Sequence, residues 1–174
     1  MKVLVPIDGS DPSLKALEYA IYLLRLTNPN ADQSKNKRSG SGSGELILIN
    51  VLPHFHIPLG FEKPMKYFKT NQVVSLSQFI EEMNQMMEIE WINKLSKIKA
   101  RYAESDISIR IKVLKGSHSS RAIAENIIKF STEEQVDLIV VGNVGLGGIS
   151  KIKALGSVSR NLIEISNRPV LVVH

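Results

Sequence analysis

Five short apolar runs recur along the chain, and segments with a helical repeat separate them. The runs are Lys2 to Ile7 (KVLVPI), Glu45 to Leu52 (ELILINVL), Ile107 to Leu114 (ISIRIKVL), Val136 to Gly142 (VDLIVVG) and Arg168 to His174 (RPVLVVH). Each is rich in β-branched residues and too short for a core helix, so each reads as a buried strand. Leu17, Ala20, Ile21 and Leu24 then repeat at helical spacing, as do Ile123, Ile127 and Phe130, and Val158, Leu162 and Ile165. The longest stripe is Ile80, Met83, Met87, Trp91, Leu95, Ile98 and Tyr102. Strict alternation of strand and helix builds a parallel sheet with helices packed on both faces. The expectation is an α/β fold, a three-layer, doubly wound, five-stranded parallel sheet in one domain spanning residues 1–174.

Composition closes off several classes of function. The chain has no cysteine, which removes disulfides, zinc–thiolate sites and thiol nucleophiles. Its apolar runs fall far short of the ~20 residues of a membrane span, and the start MKVLVPIDGS lacks the pattern of a secretion signal. A cytoplasmic protein without a membrane partner is expected. The net charge of +5 is mild. Its densest basic cluster, Lys35 to Arg38, adjoins the Gly-Ser tract from Ser39 to Gly44 and has no aromatic residue interleaved. Residues 27–44 therefore read as a long flexible surface loop rather than a nucleic-acid arm. The stretch after Pro53, broken by Pro58, Gly60 and Pro64, reads as irregular.

Function concentrates in VVGNVGLGGISKIKALGSVSR, Val140 to Arg160. Gly142 ends the fourth apolar run and Gly156 opens the last helix. In open α/β sheets, ligands bind beyond the carboxyl ends of the strands where strand order reverses. Glycines at such an edge permit positive φ and bring backbone amides close to a ligand. Consecutive amides form an anion-binding nest, and the helix behind Gly156 adds about half a positive charge. Ser157 and Ser159 supply hydroxyls there, or serve only as helix caps. Lys151 and Lys153 stand where they would neutralise a polyphosphate, or are ordinary surface lysines. The segment is neither a G-x-x-x-x-G-K-[ST] loop nor a dinucleotide fingerprint. The Gly-Ser tract at Ser39 to Gly44 precedes a strand and is not a phosphate site.

The sequence resembles the universal stress protein family over nearly its whole length. The resemblance is carried by VPIDGS near the start, ILINV in the second run, DLIVVGNVGLGGI, LGSVS and the terminal RPVLVV. It implies strand order 3-2-1-4-5, with the first and fourth strands adjacent at the reversal. Members with a G-x2-G-x9-G-[ST] motif bind ATP; here Gly142, Gly145 and Gly156-Ser157 supply it. Ten residues, Leu146 to Leu155, separate the second and third glycines, one more than the motif has, and Val144 stands where many members carry a polar residue. By resemblance Asp8 lies near ribose and adenine, and Pro6 and Ile7 border that pocket. The backbone of Val51 meets adenine, and Gly142, Gly145, Gly156, Ser157, Val158 and Ser159 cradle phosphate and ribose. The implied role is an ATP-binding regulator of stress responses, with Mg²⁺ or Mn²⁺ accompanying the nucleotide. The implied assembly is a homodimer through the terminal strand, read by a protein partner.

Two other classes stay open: an interaction module of the same fold without nucleotide, and an enzyme, either a weak ATPase or a flavodoxin-like carrier. No catalytic constellation is legible, since GNVGLGG lacks the serine of a nucleophile elbow and Asp8 alone is placed at the crevice. His54, His56 and His118 all follow strands. They read as loop histidines, with a metal site as the sharper alternative and no acidic residue at fixed spacing to complete it.

Overall fold

A computed structural model describes residues 1–27, 44–57, 64–66, 73–102, 107–116, 118–145 and 155–174. Its strands are β1 (Lys2–Pro6), β2 (Glu45–Pro53), β3 (Pro64–Lys66), β4 (Val73–Ser75), β5 (Ser108–Gly116), β6 (Leu138–Gly142) and β7 (Val170–Val173). Its helices are α1 (Asp11–Leu26), α2 (Leu76–Arg101), α3 (Ser120–Glu133) and α4 (Ser157–Ile165). The main sheet has five strands, all parallel, in the order β5-β2-β1-β6-β7. Counted over the five apolar runs, that is the order 3-2-1-4-5. The reversal falls between β1 and β6, which places the ends of these two strands side by side.

Strand alternation sorts the core into two layers. Leu46, Leu48 and Leu52 of β2 join Val3, Val5 and Ile7 under α1 and α2. Ile47 and Ile49 join Leu4, Ile139 and Val141 under α3 and α4. Because both faces are covered, the central strands are buried nearly throughout, which is why they read as continuous apolar runs. Helix α2 attaches differently from its sequence stripe. Only Asn84 and Leu95 are buried in it; Met87, Trp91, Ile98 and Tyr102 are half-buried against the core, and Met86 and Ile89 face solvent. Asn84 grips the chain leaving β2, accepting from Phe55 N–H at 3.1 Å and donating to Phe55 O at 3.0 Å.

The stretch expected to be irregular contains one short strand, β3, which pairs antiparallel with β4 just beyond it, in register Met65↔Val74. Three-residue strands carry too little periodicity to be read from sequence, and Pro64 argued against one. Residues 28–43, which contain most of the loop expected at 27–44, lie outside the described residues.

At the amino ends of the strands, charges form a ring. Arg110 pairs with Glu45 and, at 2.6 Å, with Glu134; Lys2 lies 3.5 Å from Glu45 and donates to Glu134 O at 2.7 Å. The hydrogen bond from Arg110 holds the Glu134 carboxyl below the usual carboxylate range and raises the guanidinium in turn. The glycine segment lies at the opposite edge.

Candidate functional site

The site begins where β1 ends. Ile7 N–H reaches Ile49 O at 2.7 Å, and the chain then turns at Gly9, whose φ of +87° is costly for any residue with a Cβ. The turn is held by Asp8, whose Oδ1 accepts from Ser10 N–H at 2.9 Å and from the Ser10 hydroxyl at 2.6 Å. Ser10 also caps α1, its oxygen accepting from Ser13 N–H at 3.3 Å. A single chain of bonds thus orients the Asp8 carboxylate and starts α1. The sequence D-G-S-D-P reads as a turn with Ser10 or Asp11 as the helix cap, and the structure uses Ser10.

The segment after β6 closes on that carboxylate. A Cβ on Gly145 would stand 2.5 Å from Asp8 Oδ2. A Cβ on Gly156 would stand 3.1 Å from Val144 Cα and 3.4 Å from Gly145 N. Asp8, Gly145 and Gly156 are therefore neighbours at one crevice. None of Gly142, Gly145 and Gly156 uses positive φ; among the described glycines only Gly9 does. Their role is close approach. Gly142 in particular abuts the backbone of Pro12 in α1, where a Cβ would come within 2.6 Å of a carbonyl carbon.

The amides divide into two sets. Asn143 N–H bonds Val173 O at 2.8 Å, and Gly156 N–H bonds Asn143 O at 2.7 Å, so these two are satisfied within the fold. The Ser159 hydroxyl is likewise engaged, donating to Gly142 O at 2.7 Å from a buried position. It ties α4 to β6. The first backbone bond of α4 runs from Arg160 N–H to Gly156 O at 2.9 Å. The amides of Ser157, Val158 and Ser159 precede that bond and have no helical acceptor. Helices α1, α2 and α3 each receive a serine cap, from Ser10, Ser75 and Ser119. Helix α4 starts at Gly156 with no side-chain cap. Lys151 and Lys153 lie outside the described residues.

Across the crevice, Pro6 and Val51 are half-buried and Ile7 is buried. Beside them Asn50 donates from Nδ2 to Ile7 O at 2.7 Å, a contact the sequence reading missed. Its only signal was one amide in an otherwise apolar run. The histidines divide: the rings of His54 and His56 touch, with centroids 4.5 Å apart, whereas His118 packs on Phe55 at 4.8 Å. Among the described residues no group of three or more histidine or acidic side chains is placed to hold a metal ion. No helix there is long and apolar enough to cross a membrane.

Comparison with known proteins agrees with this architecture. The model of the universal stress protein family matches residues 40–174. Universal stress protein YxiE of Bacillus subtilis is 29% identical, over 99% of this chain and 97% of its own length. The solved structure of MJ0577, a universal stress protein of Methanocaldococcus jannaschii, superposes with a TM-score of 0.68 at 26% identity, covering 99% of this chain and 94% of that one. A universal stress protein solved in complex with cAMP shares the fold with a TM-score of 0.55 at 24% identity, over 100% of this chain and 96% of that one. With the family model covering most of its length and the sheet order in agreement, the chain belongs to the universal stress protein family.

Proposed function

We propose that this protein is a regulatory adenine-nucleotide-binding protein of stress responses that takes ATP in the crevice between β1 and β6. The observation that carries the reading is the meeting of an uncapped α4 N-terminus with the Asp8 carboxylate across Gly145. The first-turn amides of α4, without a side-chain cap among the described residues, suit phosphate oxygens, because aligned N–H groups and the helix dipole both favour an anion. Asp8, already aimed by Ser10, suits the ribose hydroxyls, and Pro6, Ile7 and Val51 supply an apolar wall for a base. The cAMP-bound relative indicates that this fold accommodates an adenine nucleotide. With no protein metal cluster among the described residues, Mg²⁺ or Mn²⁺ would enter on the phosphates. A protein partner would read the nucleotide-bound protein to the extent that it binds the bound and free proteins differently.

Gly145→Val tests the reading. Its side chain would displace the Asp8 carboxylate without entering the core, so thermal stability is retained while ATP affinity, followed by calorimetric titration, falls at least about tenfold, or about 1.4 kcal/mol. A variant that binds ATP as wild type does removes Asp8 and Gly145 from the site. The internal bonds of Gly156 N–H and Asn143 N–H favour one other reading, an interaction module without nucleotide. Wild-type protein giving no heat with ATP, ADP or AMP in the presence of Mg²⁺ would establish it.

We further propose a homodimer through β7. This strand is an edge of the sheet, apolar on both faces and half-buried along Val170–Val173. Exposed edges of that kind invite pairing, and two antiparallel copies would cover both. Light scattering at micromolar concentration should report twice the 19.4 kDa of one chain; a monomer refutes the pairing.

A further inference from the structure

Helix α2 carries its charges in two blocks. From Leu76 to Asn93 the charged residues are Glu81, Glu82, Glu88 and Glu90, with no lysine or arginine. From Lys94 to Arg101 they are Lys94, Lys97, Lys99 and Arg101, with no acid. The helix dipole favours this polarity, but its effect is confined to the first and last turns. Glu88, Glu90 and Lys94 stand near the middle of a 26-residue helix, beyond its reach. Glu90 meets Lys94 at 2.7 Å where the blocks join, and Glu88 lies 3.7 Å from Lys115. Among the described residues no ion pair holds Lys97, Lys99 or Arg101.

The same helix exposes apolar surface around that junction. Met86 is 70% exposed, Ile89 58% and Ile92 41%. Met86 and Ile89 lie on the side turned away from the buried Asn84 and Leu95, next to the exposed Asn93, and Ile92 lies at the margin of that side. The helix surface is thus acidic at one end, basic at the other and apolar between. Turned end for end, such a surface complements itself.

We propose that α2 is a contact surface for a second copy of this chain: two α2 helices meet antiparallel about a two-fold axis near Ile89–Asn93, each acidic block over the other's basic block, with Met86, Ile89 and Ile92 between them. An isologous contact requires this self-complementarity, and opposite potentials fix its register. Parallel pairing would set like charges together. A different partner would have to present an apolar strip flanked by the same charges in reverse order, which a second copy has by construction. The inference is independent of nucleotide and of pairing through β7. Helix α2 packs on β5 and β2, and β7 is at the other end of the sheet order, so β7 pairing leaves the α2 faces apart. One helix pair is a small interface, so the contact is best detected by trapping it.

The chain has no cysteine, so a single introduced thiol reports alone. Asn93→Cys and, as a control, Lys129→Cys on the exposed surface of α3 are treated with a short bismaleimide linker. The Asn93→Cys chain should link to its own copy at least about tenfold faster than the control, because a held pair raises the effective concentration of the two thiols. Molar salt should slow that linking at least about twofold by screening the charge blocks. Glu81→Lys with Glu82→Lys, and Lys97→Glu with Lys99→Glu, are then each combined with Asn93→Cys. Either double variant alone should link at the control rate, and an equimolar mixture of the two should recover the fast rate as a mixed product identified by its mass. An Asn93→Cys chain that links no faster than the control overturns the proposal. So does a double variant that links as fast as its parent, or a mixture that stays slow. If a double variant fails to fold, salt decides: fast linking that molar salt leaves unchanged overturns the pairing of the charge blocks.

Discussion

Gly142→Ala is expected to lower the stability of the fold by about 3 kcal/mol, near the upper end of what overpacking one methyl costs. The added Cβ would stand 2.6 Å from Pro12 C, 2.7 Å from Pro12 O and 2.8 Å from Pro12 Cβ. These are atoms of a helix's first turn and a proline ring, so no flexible side-chain end can swing aside. Relief requires α1 to move bodily away from β6. That helix contributes Ala16, Leu17, Ala20, Ile21 and Leu24 to the core, so a shift loosens many contacts at once. Thermal denaturation should show a Tm lower by roughly 6–12 °C. The same shift carries Ser10 and hence Asp8 out of place, so loss of nucleotide affinity should accompany it. An alanine variant as stable as wild type would mean that helix and strand do not meet at Gly142 in this way.

Leu95→Ala should cost about 2–5 kcal/mol, the range for a leucine deleted from a core. Leu95 is completely buried and is the one apolar side chain of α2 that is. Its neighbours on the stripe, Met87, Trp91 and Ile98, are only partly covered and hold the helix less firmly. Losing Leu95 leaves α2 attached by those partial contacts and by the Asn84 grip on Phe55. Chemical denaturation is the direct measure. Ile89→Ala provides the contrast: at 58% exposure on the same helix it should change stability by no more than about 0.5 kcal/mol. Equal effects at the two positions would mean that α2 docks through a different face.

The main sheet was legible because its signal is local and repeated. Buried parallel strands must be apolar on both faces, so each of the five runs announced itself without knowledge of its neighbours. The α2 stripe was legible as a helix but not as a contact surface. Spacing of three or four residues says which side chains share a face, not how far the sheet extends beneath them, and only Leu95 is fully covered. The pair β3–β4 was illegible because three residues do not establish a period.

What the amino-acid sequence determined by itself was the alternation of strand and helix, the turn at Asp8–Ser10 and the place of the glycine segment at the end of a strand. Each of these rests on propensity or periodicity within a few residues. What tertiary structure alone decided is why the residues at the crevice are the ones they are. Gly142 answers to Pro12, 130 positions earlier; Gly145 answers to Asp8; the Ser159 hydroxyl answers to Gly142 O; and Asn50 answers to Ile7 O. Apart from the Ser159 bond, which closes within the glycine segment, each of these joins segments far apart along the chain. Such a contact exists only once the parallel crossovers have brought the strand ends together at one rim, so no local pattern could encode it.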